Sequence, residues 1–456
     1  MAKEMDGHVL LLPFPAQGHI NPVLQFGKRL ASKGLKISFA TTVHLSKSIY
    51  LKDSSIRVEL ISDGFDETGP AGAESEEHFV KTLKETGSRT LAELINKYST
   101  SQDIYQPITC IVCDAILPWA LDVGKEFGLV TAAFYTQPCS VSSIFYHVKQ
   151  GNLSVPVEDP TVSLPGLPLL ALQDLHSSVV QLETGSPALT LLTGQFSNLE
   201  KADWLFFNTF DRMENEALRL MGELGRARAI GPTTPSMYLD KRVEGDTEYS
   251  LNLFKPSDVN YTKWLNAKKS GSVLYVAFGS IAELGEDQME ELIQGIKLSN
   301  KDFLWVLRET EQSKLPHGFA EEMLEKGLLV TWCSQAEVLA HDAVGCFLTH
   351  CGWNSTMEAL SLGVPMVAMP LLWDQFTNAK FVEDIWETGI RVRKNNKGIV
   401  TREELESCIR EVMDNKRGEV IKSNAIRWND LAKTAVDVGG SSDVNIEEFV
   451  ASIKCM

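Results

Sequence analysis

Two runs of short apolar segments, each of strand length and each alternating with helix-like stretches, constrain this 456-residue chain more than any other feature. The first run opens with His8 to Pro13, continues with Asn21 and Pro22 as a helix N-cap and first helical position, and reaches the β-rich Lys36 to Thr42. Further strand-like segments at Thr109 to Cys113, Val130 to Tyr135 and Trp204 to Asn208 carry the alternation to about residue 235. Between Pro235 and Asp258 the chain is polar, mixed in charge and without periodicity, which predicts a linker. The pattern then restarts, with strands predicted at Gly271 to Phe278, Phe303 to Leu307, Gly327 to Trp332, Val344 to Thr349 and Val364 to Met369. A helix is predicted over Glu286 to Ser299, and the tail turns helical at Glu403 to Met413 and Val444 to Ile453. Strand–helix alternation requires crossover connections, so each run predicts a parallel, helix-covered sheet: an α/β protein of two lobes with a small-molecule cleft between them.

The charge balance narrows the partners. Lys plus Arg number 43 against 60 Asp plus Glu, a net charge of −17, whose field repels nucleic acid and anionic membrane surfaces. A small anion is still compatible with that field, because one helix N-terminus acts locally. Eight cysteines are too sparse for a disulfide scaffold in a chain this long, so reduced thiols are expected. The apolar run Val9 to Leu12 is too short for a secretory signal, and Phe127 to Val148, the longest stretch without Asp, Glu, Lys or Arg, is too polar for a membrane span. A cytoplasmic protein, with no membrane or nucleic-acid partner and monomeric, is the expectation.

Several chemistries lack their motifs. None of the 32 glycines lies two positions from another, so the Gly-x-Gly-x-x-Gly fingerprint of a dinucleotide-dependent oxidoreductase is missing. There is no Gly-Lys-Ser/Thr, Gly-x-Ser-x-Gly, His-Glu-x-x-His or Asp-x-Asp, which removes the usual signatures of nucleotide-phosphate, hydrolase and metal sites. Cys110 and Cys113 form a lone Cys-x-x-Cys inside a predicted buried strand, where packing explains them. No metal is expected.

One segment does carry chemistry. After the strand Val344 to Thr349 the chain reads His350-Cys-Gly-Trp-Asn-Ser-Thr-Met-Glu358, a strand turning through Gly352 into a helix that starts near Asn354 or Ser355. Such a turn aims backbone N–H groups and the positive helix end at the carboxyl edge of the sheet, an anion cradle to which His350, Asn354 and Ser355 add donors. Spacing alone leaves a second reading equally open, a Ser355-x-x-Glu358 capping box.

The 44 residues from Trp332 to Gln375, WCSQAEVLAHDAVGCFLTHCGWNSTMEALSLGVPMVAMPLLWDQ, resemble the signature box of plant UDP-dependent glycosyltransferases of glycosyltransferase family 1. The likeness extends over the chain through FPAQGHINP, CDAILPWALDVGKEFG, NTFDRMENEAL and IGPTTPSMYLD. It implies the GT-B fold, two Rossmann-like parallel-sheet lobes facing each other across a cleft: an acceptor lobe over 1–240, a linker over 241–258, a UDP-sugar lobe over 259–430 and a helix over 431–456 that packs back on the first lobe. By resemblance, Trp332 stacks on uracil, with Cys333 and Gln335 beside the uridine, and Glu358 accepts from the ribose hydroxyls. His350, Gly352, Asn354, Ser355 and Ser280 would hold the phosphates, Trp353, Asp374 and Gln375 the sugar, and Gly18 and Thr136 would add donor contacts from the first lobe. Gln375 at the end of the box implies glucose over galactose. Ser334 and Met357 stand where the family often has Pro and Leu, and Leu371, Leu372 and Trp373 make the rim before Asp374 more apolar than usual.

The resemblance also gives His19 the role of general base and Asp114 that of its partner, although a histidine beside a helix start is by itself more often structural. A carboxylate on one imidazole nitrogen fixes the tautomer and stabilises the imidazolium. The implied reaction is a single displacement at the anomeric carbon, inverting, without metal or other cofactor, between UDP-glucose and a small-molecule acceptor. Phe14, Phe134, Phe145, Tyr146 and Trp373 are candidates to line an apolar acceptor pocket. The resemblance favours a triterpenoid or steroid hydroxyl. A glucose ester-forming enzyme acting on small carboxylic acids is the alternative, and a non-catalytic nucleotide-sugar-binding protein is the alternative from another class.

Overall fold

The computed structural model describes residues 7–48, 56–100, 106–249, 259–316, 318–319 and 325–455. The chain divides into two compact units, Met1–Leu253 with Thr434–Met456, and Phe254–Lys433.

The first unit holds β1 (His8–Leu12), β2 (Lys36–Thr42), β3 (Ile56–Ile61), β4 (Cys110–Asp114) and β5 (Val130–Tyr135), then a small antiparallel pair β6 (Thr161–Val162) and β7 (Leu170–Ala171), then β8 (Trp204–Phe207) and β9 (Ala227–Ala229). The main sheet has the order β3-β2-β1-β4-β5-β8-β9 and every pairing is parallel. Because side chains alternate along a strand, each strand feeds two cores. Leu10, Leu12, Ile111, Cys113, Ala133 and Tyr135 lie in one core. Val9, Leu11, Cys110, Val112, Ala132 and Phe134 lie in the other. Cys110 and Cys113 therefore sit on opposite faces of the sheet, which is why they make no pair. The second core is closed by Ile446, Phe449, Val450 and Ile453 of the last helix, Ser441–Lys454.

Helix Gln17–Ser32 starts at N-cap Ala16, five residues before the sequence expectation, and Pro22 lies inside it. Proline there cannot donate to the carbonyl of Gly18, so the second turn of the helix lacks one backbone bond. The polar segment after Pro235, expected as linker, is tied to the first unit through residue 248. Lys28 Nζ donates to Asp246 Oδ1 at 2.7 Å and to the Glu248 carbonyl at 2.9 Å, Asp246 Oδ2 accepts from the Ser236 N–H at 2.7 Å, and Arg29 pairs in a fork with Asp240. Its partners lie some two hundred residues away in sequence, so no local pattern announces them. Residues 250–258 of the expected linker lie outside the described residues.

The second unit holds β10 (Val273–Ala277), β11 (Asp302–Val306), β12 (Gly327–Val330), β13 (Val344–Thr349), β14 (Met366–Ala368) and β15 (Gly389–Arg391). Their order is β12-β11-β10-β13-β14-β15, again wholly parallel. Helices Glu286–Ser299 and Arg402–Asp414 cover it through Met289, Leu292, Ile293, Leu405 and Ile409. Among the described residues no helix is long and apolar enough to cross a membrane, and the cysteines are free thiols, all buried except Cys455.

The Lys28–Asp246 pair is 4% exposed on each side. Removing one partner of a buried pair leaves an uncompensated charge, so Asp246→Ala is expected to cost about 3–5 kcal/mol of first-unit stability, read as an earlier transition in urea unfolding.

Candidate functional site

In an open parallel sheet, a cradle forms outside the carboxyl ends of the strands where the strand order reverses, because neighbouring connections leave there in opposite directions. In the first unit that point lies between β1 and β4. The chain leaving β1 enters helix Gln17–Ser32 and brings His19 to this edge, and Asp114 is the last residue of β4. His19 Nδ1 lies 2.6 Å from Asp114 Oδ2, with the carboxylate 1% and the imidazole 23% exposed. Asp114 is itself fixed, accepting from the N–H of Ile116 at 3.2 Å and, more weakly, from that of Phe14 at 3.4 Å. An ionised carboxylate only accepts, so the proton sits on Nδ1 and the lone pair of the neutral ring on Nε2. Thr136 Oγ1 lies 2.9 Å from the same Nδ1, placing the residue expected among the donor contacts beside the imidazole. Gly18 is exposed at the same turn.

Of the aromatic residues proposed for the acceptor, Phe14 is partly buried with its ring centroid 5.3 Å from His19 and 6.3 Å from Phe79. Phe134 is fully buried on the opposite face of β5, packed on Phe26, and its assignment to an acceptor pocket is corrected: strand alternation turns it away from the edge. Phe145 is likewise a core residue, fully buried edge-on to His176. Tyr146 is partly buried against Phe196.

In the second unit the order reverses between β10 and β13. Gly279 and Ser280 follow β10, and His350, Cys351 and Gly352 follow β13. A Cβ on Gly279 or on Gly352 would lie 2.6 Å from His350 Nε2 in either case, so the two glycines leave the space that the imidazole fills. Burial drives the His350 pKa down to about 4, so at neutral pH the ring is an uncharged hydrogen-bonding group. Helix Trp353–Leu362 begins immediately after, with Gly352 as its N-cap and no acidic side chain in its first turn. Its first intrahelical bond runs from Thr356 to the Gly352 carbonyl at 2.9 Å, so the N–H groups of Trp353, Asn354 and Ser355 precede the ladder, at the positive end of the helix. Arg308 Nη1 holds the Ser280 carbonyl at 2.8 Å.

The capping-box reading fails here, because with Gly352 as N-cap Ser355 is the third helical residue and Glu358 the sixth. Both are buried and both accept from Gln335 Nε2, Ser355 Oγ at 2.9 Å and Glu358 Oε2 at 2.7 Å. Tyr275, in the middle of β10, donates to Gln335 Oε1 at 3.3 Å and lies 3.7 Å from Cys333 Sγ. Burial pushes the Cys333 thiol up to about 12, so it acts as a packing group. Trp332 lies two residues past the end of β12 and is partly buried. The Trp353 side chain, expected at the sugar, is instead 5% exposed and 6.2 Å from Trp386.

Asp374 and Gln375 are buried at the start of helix Gln375–Lys380. Gln375 Oε1 accepts the N–H groups of Leu371 and Leu372, each at 2.9 Å, so its carbonyl shapes the preceding loop and its amide N–H2 is what remains to donate to a ligand. Trp373 at the loop tip is 41% exposed. Sequence reasoning overlooked Asn378, whose amide donates to Asp374 Oδ2 at 2.8 Å and to the Cys351 carbonyl at 2.9 Å. Its spacing of four from Asp374 was the available signal. Among the described residues no group of three or more His, Cys, Asp or Glu side chains is arranged to hold a metal ion.

Comparison with known proteins bears on both units. Residues 242–435 match the family described as UDP-glucoronosyl and UDP-glucosyl transferase, and residues 7–56 match the glycosyltransferase N-terminal domain. A Mogroside I-E synthase of Siraitia grosvenorii is 50% identical over 98% of this chain and 99% of its own length. UDP-glycosyltransferase 74F2 of Arabidopsis thaliana is 47% identical over 98% of each chain. The crystal structure of Os79 from O. sativa in complex with UDP superposes with a TM-score of 0.92 at 41% identity, over 98% of this chain and all of that one. Its two parallel-sheet units are those of the GT-B class. On this similarity the chain belongs to the plant UDP-glycosyltransferase family and is an enzyme of that class, a glycosyltransferase of small plant metabolites.

Proposed function

We propose that this enzyme is an inverting, UDP-glucose-dependent O-glucosyltransferase whose acceptor is a hydroxyl of a bulky lipophilic metabolite, a triterpenoid or steroid, and that it works without a metal. The observation that carries the reading is the His19–Asp114 pair. Asp114 holds the proton on Nδ1, so Nε2 is the atom that takes the acceptor's proton as its oxygen attacks the anomeric carbon, and the buried carboxylate stabilises the imidazolium that forms. UDP leaves with its new charge held by the N-terminus of helix Trp353–Leu362, a fixed dipole that needs no reorganisation. Trp332, Gln335 and Glu358 hold the nucleoside, and Asp374 and Gln375 the glucose.

The base argues for an alcohol acceptor. A carboxylic acid with a pKa of about 4 is already ionised at neutral pH and has little need of one, whereas an alcohol must lose its proton during attack. The half-shared sequence with a mogroside synthase and the exposed apolar tip at Leu372 and Trp373 support a bulky apolar acceptor.

Two measurements test this. Product formation from UDP-glucose over a panel of phenols, small acids, triterpenols and steroids, with EDTA present, is expected to give the hexosylated triterpenol or steroid. His19→Ala is expected to lower that turnover by roughly 10²–10⁴-fold. Turnover confined to benzoate-type acids and indifferent to His19→Ala contradicts the reading. For the cradle, Gly352→Ala places a Cβ against the His350 ring, and calorimetric affinity for UDP-glucose is expected to fall about tenfold, equivalent to about 1.4 kcal/mol.

A further inference from the structure

Two non-glycine residues of the second unit have left-handed backbone beside the donor residues: Cys351, at φ +61°, between His350 and Gly352, and Trp373, at φ +54°, immediately before Asp374. Such conformations cost about 1–3 kcal/mol each and persist where their surroundings over-determine them. The two lie in different loops, one after β13 and the other after β14, and the sheet alone does not fix one loop tip against the other.

Asn378 does. Its side chain is 1% exposed on helix Gln375–Lys380, and both hydrogens of its amide are committed, one to the Cys351 carbonyl at 2.9 Å and one to Asp374 Oδ2 at 2.8 Å. One planar NH2 thus bridges the loop that carries the phosphate cradle and the carboxylate at the start of the sugar loop. Gln375, three residues earlier, fixes the rest of that loop through Leu371 and Leu372. No other uncharged side chain of this size supplies two hydrogens in this plane except glutamine, which is one methylene too long.

We infer that Asn378 is a positioning residue for donor selection: it holds Asp374 in fixed register with the diphosphate cradle, so that the enzyme distinguishes UDP-sugars that share a nucleotide and differ in one hydroxyl. This rests on the assignment of Asp374 to the sugar made above. Epimers such as glucose and galactose differ only in where one oxygen points, so a carboxylate that discriminates them must be held to within about half an ångström of its place relative to the phosphates. The Asn378 bridge ties the two directly.

The test compares UDP, UDP-glucose and UDP-galactose on the full chain, using Asn378→Ala, Asn378→Asp, which puts an acceptor where a donor is needed, and Asn378→Ser as a milder variant should the first two fail to fold. UDP affinity is expected to stay within about threefold of wild type, while UDP-glucose affinity and the kcat/KM ratio of UDP-glucose over UDP-galactose each fall about tenfold. In an Asp374→Ala background, removing Asn378 is expected to change that ratio no further, the non-additivity of a coupled pair. Equal weakening of UDP and UDP-glucose, or an unchanged sugar ratio in a folded variant, overturns the inference. A wild-type enzyme that binds UDP but has no preference among the sugars contradicts the donor-site assignment instead.

Discussion

Each of the two sheets reverses its strand order once, between β1 and β4 in the first unit and between β10 and β13 in the second. That reversal decides where chemistry can occur. Within each of these two sheets all strands run parallel, so every strand–helix turn lies at one edge, and only at the reversal do two adjacent connections part and leave room. His19 and Asp114 occupy the opening in the first sheet, and Gly279, His350 and Gly352 occupy it in the second. In the first unit the alternating burial along the strands feeds two cores, one of them closed by the final helix, and these cores support its edge.

The two edges are built for different tasks. The first pairs one imidazole with one buried carboxylate, an arrangement for moving a proton. The second combines a helix start free of acidic residues with an imidazole kept neutral by burial, an arrangement for holding an anion by hydrogen bonds. A net charge of −17 makes that local solution necessary, since the global field does not draw a diphosphate in.

Much of the fold was legible in the sequence where a buried parallel strand writes itself as an apolar or β-rich run. Lys36–Thr42, Val130–Tyr135 and Val344–Thr349, and the amphipathic helix Glu286–Ser299, have the expected bounds. The strands that escaped notice are edge or near-edge strands: Ile56–Ile61, interrupted by Arg57 and Glu59, and the three-residue Ala227–Ala229 and Gly389–Arg391. The donor box was legible as a resemblance, but the use of its side chains was not. Trp353 packs inward on Trp386 and Glu358 accepts from Gln335, contacts between distant segments, and Gln375 spends its carbonyl on the loop just before it. Phe134 was misassigned because an aromatic at a strand end says nothing of which face it takes, and Asn378 went unseen because its one signal, the spacing of four from Asp374, is common on any helix.

The proposed reaction joins one proton acceptor, His19, and one anion cradle, the start of helix Trp353–Leu362, in a single direct displacement at the anomeric carbon. The anomeric configuration of the product from the α-linked donor, read from the proton coupling at the anomeric carbon by NMR, tests this most directly. A β-glucoside, with its large axial–axial coupling, is the predicted result. An α-glucoside means that configuration was retained, which contradicts a single displacement.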